Sequence, residues 1–448
     1  MAADSEHSNE GEARVCADCV GDPWLRQEML ASGRERICAF CHSPGVTWSV
    51  AELARRTDVV YRQIVRSYRA VDAWLRKGKA LSPRAVIEQL LRGDRALAEA
   101  VGAVLASGAW DDPDDDGAPD RYDPHEEYLI NVPASSSHHE DWQGFCQSLE
   151  NTSRFFNDQA GRLLDDLLGS PPPEAVVTAG PGTELQRLFR ARLAFDPAEV
   201  AVLLADPAAQ FAAPPPALRR AGRMNAAGIP VLYLACEEET ALAELRPVLG
   251  AEVVIAPLAL QRPLRLLDLT RLGDSKIAYF HPELARVEGR RRFLEQFGWQ
   301  ISRPVPPHQE SLGYLPTQCV ADYLANKASP RYDGVLYRSA LRRQGRNVVL
   351  FAHALSVAAD DPRFPVAPTG VRLTFDHPQE LPEYRLRMEG MAPTVPPAGE
   401  ATLLVLTDDL VVDSVLAVEY HSATIGAAKS ELPEAAGSAV ATGGEPAR

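Results

Sequence analysis

In the first half of the chain, apolar positions recur at the spacing of helices that bury one face. Ser49-Val-Ala-Glu52 has capping-box spacing, and Val50, Leu53, Val60, Ile64, Val65, Tyr68, Val71 and Leu75 follow at helical intervals, predicting one long helix to about Leu75. Ser82-Pro83 reads as the N-cap and first residue of a second helix that ends near Ser107, with Val86, Ile87, Leu90, Leu91, Leu97 and Val101 as its buried stripe. The same period returns over 142–167 through Trp142, Phe145, Leu149, Phe155, Leu163, Leu164 and Leu167. After the Pro/Gly-rich stretch 170–182 the pattern changes to short apolar runs. Strands are expected at 230–235, 251–256, 264–269, 334–337 and 347–351, with further strand-like pieces at 401–406 and 415–420. Segments 238–245 and 316–324 read as helices.

Length and composition fit this two-part texture. A chain of 448 residues, 46% apolar and 24% charged, suits two or three globular units. The formal net charge of −15 disfavours a nucleic-acid backbone binder, which needs a positive field. That charge is uneven: nine carboxylates and one arginine between Asp111 and Glu127 put −8 into one stretch, best read as a solvated acidic loop. The acidic N-terminus has no basic region followed by an apolar run, and no segment is long and apolar enough to span a bilayer, so a cytoplasmic protein is expected, with no membrane partner.

Four of the seven cysteines lie in the first 41 residues as Cys16-Ala-Asp-Cys19 and Cys38-Ala-Phe-Cys41, with 18 residues between the pairs. That spacing predicts a closed tetrahedral shell of Cys16, Cys19, Cys38 and Cys41 around a structural Zn²⁺. Haem attachment at Cys38-x-x-Cys41-His42 leaves the first pair unexplained, and a redox pair lacks the strand-to-helix context.

The second half carries the candidate chemistry. Leu188-Phe-Arg-Ala-Arg192 is followed by the turn Gly222-Arg-Met-Asn225, the run ending Leu232-Tyr-Leu-Ala235, the segment Glu239-Thr-Ala-Leu-Ala-Glu244, and Tyr337-Arg-Ser339. Guanidiniums recognise phosphate, an aromatic can stack on a planar ring, and a carboxylate can stabilise positive charge at a sugar carbon. Taken singly, each residue is better read as a surface charge, a core aromatic or a solvated helix residue; the ordered set suits a nucleotide.

From about Leu185 to Ala352 this set resembles the RES domain, named for its Arg, Glu and Ser. The N-terminal half resembles the helical HEPN-type domain that accompanies some RES domains. The resemblance implies a multidomain chain: an N-terminal four-cysteine zinc module with an α-helical, HEPN-like domain, then a C-terminal α+β domain similar to ADP-ribosyltransferases. The expected division is a disordered tail at 1–14, the zinc module at 15–45, helices at 46–168, a linker at 169–184, the RES-like domain with an extension at 185–422, and a disordered tail at 423–448.

The implied chemistry is cleavage of the nicotinamide–ribose bond of NAD⁺ by water or phosphate, or transfer of ADP-ribose to a protein, in a bacterial toxin or defence effector held by an antitoxin or other regulatory protein. NAD⁺ is then the substrate. Arg190 and Arg223 would hold phosphates or ribose, with Arg192 a near competitor to Arg190. Tyr233 would position nicotinamide, Glu244 would stabilise the oxocarbenium-like centre, and Ser339 would hydrogen-bond the amide or ribose. Asn225 is a candidate contact, or a structural residue of its turn. Two other readings stand beside this one: a non-catalytic nucleotide-sensing or interaction protein, and a HEPN-type RNase using Arg121 and His125, which the acidic segment around them disfavours. His138 and His139 are weighed as metal ligands and read as a solvated loop. The helical half is expected to regulate, to recognise a partner or to form a homodimer.

Overall fold

The structure, a computed structural model, describes residues 12–69, 79–107, 122–302, 305–365, 371–374, 383–386 and 401–418. The cysteine segment folds as β1 (Arg14–Cys16), α1 (Pro23–Ser32), β2 (Arg34–Ile37) and β3 (Pro44–Ser49), with β3 central in an antiparallel sheet. Asp22 caps α1 by accepting the N–H groups of Trp24 and Leu25, with Pro23 at the first helical position. The expected cap at Ser49 is present: its Oγ accepts the Glu52 N–H at 3.2 Å and opens α2 (Val50–Ile64).

That helix stops at Ile64 and does not run to Leu75. Val65 turns extended, and β4 (Val65–Ser67) pairs with a later strand, Val65 opposite Ile130. Val71 and Leu75 lie outside the described residues. The second expected helix is two, α3 (Pro83–Leu91) and α4 (Arg95–Ala106). Arg92 adopts a left-handed φ of 49°, which ends the first, and Asp94 starts the second by accepting the Leu97 N–H at 2.8 Å. Val15, Cys16, Val20, Leu25 and Met29 share one core with Leu53, Ile64, Ile87, Leu90, Leu97 and Val101, so the cysteine segment is built into the helical part.

After β5 (Tyr128–Ile130), the stretch 142–167 is also two helices, α5 (Ser137–Asn151) and α6 (Asp158–Leu168). Phe155, expected in the buried stripe, sits in the loop between them and is 89% exposed. His138 and His139 stand in the first turn of α5 rather than in a loop. Trp142, Phe145, Leu149, Leu164 and Leu167 pack against Phe293, Phe297, Val320 and Leu324, which come from beyond the connector.

The C-terminal part runs β6 (Val176–Ala179), β7 (Arg187–Ala194), α7 (Pro197–Ala205), α8 (Pro207–Phe211), β8 (Leu232–Ala235), α9 (Glu238–Leu245), β9 (Glu252–Leu260), β10 (Leu264–Asp268), α10 (Leu284–Ser302), α11 (Glu310–Gly313) and α12 (Leu315–Asn326). It continues with β11 (Gly334–Arg338), β12 (Arg346–Leu350), β13 (Val357–Ala359), β14 (Val371–Thr374), β15 (Glu383–Leu386), β16 (Leu403–Val405) and β17 (Val411–Ser414). Among the described residues, ten strands form one curled mixed sheet in the order β13-β16-β9-β7-β8-β12-β11-β10-β6, with β17 also on β9. The last strand lies at 411–414, ahead of the 415–420 run, because Val411–Ser414 is the segment that pairs with β9; residues 419 and 420 lie outside the described residues.

Strand alternation gives the sheet two unlike faces. Leu232, Leu234, Leu336, Val348 and Leu350 fill one core, while Val231, Tyr233, Val335, Tyr337 and Val349 face α10 and α12 on the other side. The sheet is continuous except at one seam. β7 pairs with β9 from Arg187 opposite Ala259 to Ala194 opposite Glu252, yet meets β8 only at Phe189 opposite Ala235. Past that bridge β7 and β8 part, and the sheet opens. No helix of the described residues is long and apolar enough to cross a membrane.

Candidate functional site

The opened seam is the floor of a cavity of about 290 Å³. Phe189, Arg190 and Arg192 line it from β7, Tyr233 and Ala235 from β8, Glu244 and Leu245 from α9, and Tyr337 and Asn347 from β11 and β12. Phe189, Ala235, Asn347 and Tyr337 form a single cross-strand row, since each is register partner of the next.

Arg190 and Arg192 alternate with Phe189 along β7 and so leave the opposite face of the strand. Arg190 donates from Nη1 to the Phe211 and Ala212 carbonyls at 2.9 and 2.7 Å, and Arg192 donates from Nε to Gln210 O at 3.1 Å. These carbonyls belong to the end of α8, where they have no helical partner. Burial, reinforced by the neighbouring Arg192 charge, draws Arg190 down to about 9, and burial lowers Arg192 too. An anion entering the cavity would relieve both.

The Gly-Arg-x-Asn turn supports Tyr233 from behind. Asn225 donates to the carbonyls of Arg220, Ala226 and Ile229, and its Oδ1 accepts the Tyr233 hydroxyl at 2.9 Å; that hydroxyl accepts the Met224 N–H at 3.0 Å. Gly222 is required here, because a Cβ would stand 2.7 Å from the Tyr233 hydroxyl oxygen. Arg223 donates to Ile301 O at 2.6 Å, with its guanidinium carbon 5.9 and 6.0 Å from the Tyr314 and Tyr337 ring centres. Burial lifts the Tyr233 phenol to about 12 and raises Tyr337 as well.

Glu244 is exposed at the cavity mouth, but one of its oxygens is fixed. Ser339 Oγ and Asn347 Nδ2 both donate to Oε1 at 2.7 Å. Ser339 Oγ in turn accepts the N–H groups of Leu341 and Arg342, each at 3.1 Å. Of the expected residues, Arg190, Arg192, Tyr233 and Glu244 therefore meet at the cavity, whereas Arg223, Asn225 and Ser339 stand behind its wall. Asn347 also lines the cavity and is not among the residues expected from the sequence. A polar residue opening the apolar run Asn347-Val-Val-Leu-Phe351 is the available signal.

At the other end of the chain, Cys16, Cys19, Cys38 and Cys41 gather so that their sulfurs all lie within 4.8 Å of one another, a cluster that could hold a metal ion. The Cys16 and Phe40 N–H groups donate to Cys38 Sγ at 3.3 and 3.4 Å. His138 is buried, with Nε2 3.3 Å from Asp166, while His139 contacts Gln143. The acidic run 111–121, including Arg121, lies outside the described residues, and His125 is exposed. A further cavity of about 330 Å³, beside Arg14, Arg34, Trp48 and Arg56, contains none of the expected residues.

Residues 189–376 match the family model of the RES domain. The RES match starts at Phe189 in β7 and contains every residue that lines the seam cavity. No curated protein and no solved structure matches the chain.

Proposed function

We propose that the RES region is an enzyme that binds NAD⁺ in the seam cavity and cleaves its nicotinamide–ribose bond. The observation that carries this reading is Glu244: one carboxylate oxygen is anchored by two donors, and the other has no partner among the described residues, in a cavity that also holds two arginines and two tyrosines. As the C–N bond breaks, its electron pair leaves with neutral nicotinamide and the ribose carbon becomes oxocarbenium-like. A fixed carboxylate beside that carbon stabilises the charge without accepting a proton. Arg190 and Arg192 supply positive charge for the pyrophosphate, and their lowered proton affinity is the expected state of buried guanidiniums awaiting an anion. Tyr233, locked through its hydroxyl, offers a ring of fixed orientation for the nicotinamide end. The association of RES domains with NAD-acting, toxin-like enzymes supports the same reading.

Water, phosphate or a protein side chain then attacks the ribose carbon, and the proton carried by the attacking atom or group passes to solvent unless the acceptor is already ionised, as a carboxylate is. Incubating the full chain with NAD⁺, with and without phosphate, and separating the products distinguishes the acceptors. ADP-ribose, a phosphorylated ADP-ribose or modified protein should accompany free nicotinamide, and no nicotinamide under any condition contradicts the proposal.

The cysteine cluster is read as a structural zinc site. Three of its sulfur pairs are 3.5, 3.6 and 3.8 Å apart. A tetrahedron with Zn–S bonds of about 2.3 Å has edges of about 3.8 Å. Four protein ligands close the shell, so the metal would staple the end of β1 and the turn after it to the β2–β3 loop and take no part in the reaction.

A further inference from the structure

The geometry points to Asn347 as a positioning residue for Glu244, acting with Ser339 as a two-donor clamp on Oε1 that reserves Oε2 for the substrate. This rests on the reading of Glu244 as the residue that stabilises the ribose centre. Both clamp residues are buried, Asn347 at 4% and Ser339 at 9% exposure, whereas the carboxylate they hold is exposed. The direction of the clamp is fixed by chemistry. An ionised carboxylate only accepts, so the Asn347 amide must turn its Nδ2 toward Glu244, and the Ser339 hydroxyl must give it its one hydrogen. With Leu341 and Arg342 N–H groups on its lone pairs, that hydroxyl is fully used and has nothing left for nicotinamide or ribose.

Its placement explains why two donors are needed. Glu244 occupies the last turn of α9 and reaches the sheet across a row whose neighbour to Asn347 is Ala235. The small side chain leaves space above β8, and a flexible glutamate in that space would sample several rotamers. Two donors from different strands, β12 and the residue after β11, hold it in one. Because both fall on the same oxygen, the other keeps its full capacity to accept a ribose hydroxyl or face the developing charge.

The test compares Asn347→Ala and Asn347→Asp in the full chain, reading kcat and KM for NAD⁺ separately. Loss of a hydrogen bond to a charged group should lower kcat about 10–100-fold with KM little changed. Asn347→Asp, nearly the same shape but with an acceptor facing Oε1, should be the worse of the two. If Asn347 only packs, the isosteric Asp variant will retain more activity than Ala, and the proposal falls. Unfolding midpoints of Asn347→Ala, Glu244→Ala and the double variant provide a reading independent of turnover. Non-additive midpoints support the clamp, and strictly additive ones refute it. A wild type that releases no nicotinamide refutes the NAD⁺ reading, whatever the midpoints show.

Discussion

Replacing Asp22 with alanine should loosen the cysteine-bearing part from the RES region. Asp22 is fully buried and uses both carboxylate oxygens: Oδ1 accepts Trp24 and Leu25 N–H at 3.1 and 3.0 Å, and Oδ2 accepts the Tyr279 N–H at 2.8 Å, 257 residues along the chain. Gln89 reaches the Tyr279 hydroxyl and Arg92 the Ile277 carbonyl, so residues 277–279 are held at three points. Removing the helix cap costs about 1 kcal/mol. Leaving the Tyr279 N–H buried and unpaired costs about 1–3 kcal/mol more, for a total of about 2–4 kcal/mol. Asp22→Asn keeps one acceptor oxygen for the cap and loses the other, so it should fall between wild type and alanine. Urea titrations of the metal-loaded chain, followed by tryptophan fluorescence and far-UV circular dichroism, measure the shift. An Asp22→Ala variant within about 0.5 kcal/mol of wild type, the range of an ordinary surface substitution, would refute this joint.

Other consequences are as direct. Elemental analysis should find one zinc per chain, and Cys38→Ser or a strong chelator should abolish it and lower the melting temperature, because the sheet it staples shares a core with α2–α4. Arg190→Lys should raise KM for NAD⁺ and destabilise the chain by about 1–2 kcal/mol, since an ammonium cannot hold the Phe211 and Ala212 carbonyls and still present a planar donor face to the cavity. Burial raises the Tyr233 phenol from 10.0 to about 12, so its contribution to stability is full below pH 10 and is lost as the pH rises through 12. Tyr233→Phe should flatten that alkaline loss in pH-dependent unfolding curves, while weakening the chain at neutral pH by leaving the Met224 N–H unpaired.

Local chemistry is legible wherever the determinant is local. Ser49 and Ser82 cap the helices that follow them, segment 238–245 is α9 to the residue, and the apolar runs of the second half fall in β8–β12. The differences share a cause. Val65 is apolar and in phase with the α2 stripe, but its partner is the distant Ile130, and the strand pairing wins over helical phase. Asp94 interrupts a stripe that looks unbroken because Leu91 and Leu97 both remain buried on either side of the break. Periodicity also shows that a face is buried without showing what covers it, so the contact of α5 and α6 with α10 and α12 is not visible in the sequence. α10 itself is masked by Arg290-Arg-Arg292, although Phe293, Leu294, Phe297 and Ile301 carry its apolar stripe. In the candidate site, residue types at motif spacing single out Arg190, Tyr233 and Glu244, and the fold brings all three to one cavity. The division of labour between cavity wall and support is invisible in that spacing, because it depends on which hydrogen bonds Ser339, Asn225 and Arg223 have already spent.

The proposed action of Glu244 on the ribose of NAD⁺ within the seam cavity is open to a single kinetic test. The rate of nicotinamide release by the full chain, measured for wild type and Glu244→Gln at saturating NAD⁺, addresses it most directly. Glutamine keeps the length of the side chain and an oxygen for the Ser339 and Asn347 donors, and removes the negative charge. Wild type should release nicotinamide, the variant should be about 100-fold or more slower, and the two should melt at similar temperatures. Equal rates would overturn this role of Glu244.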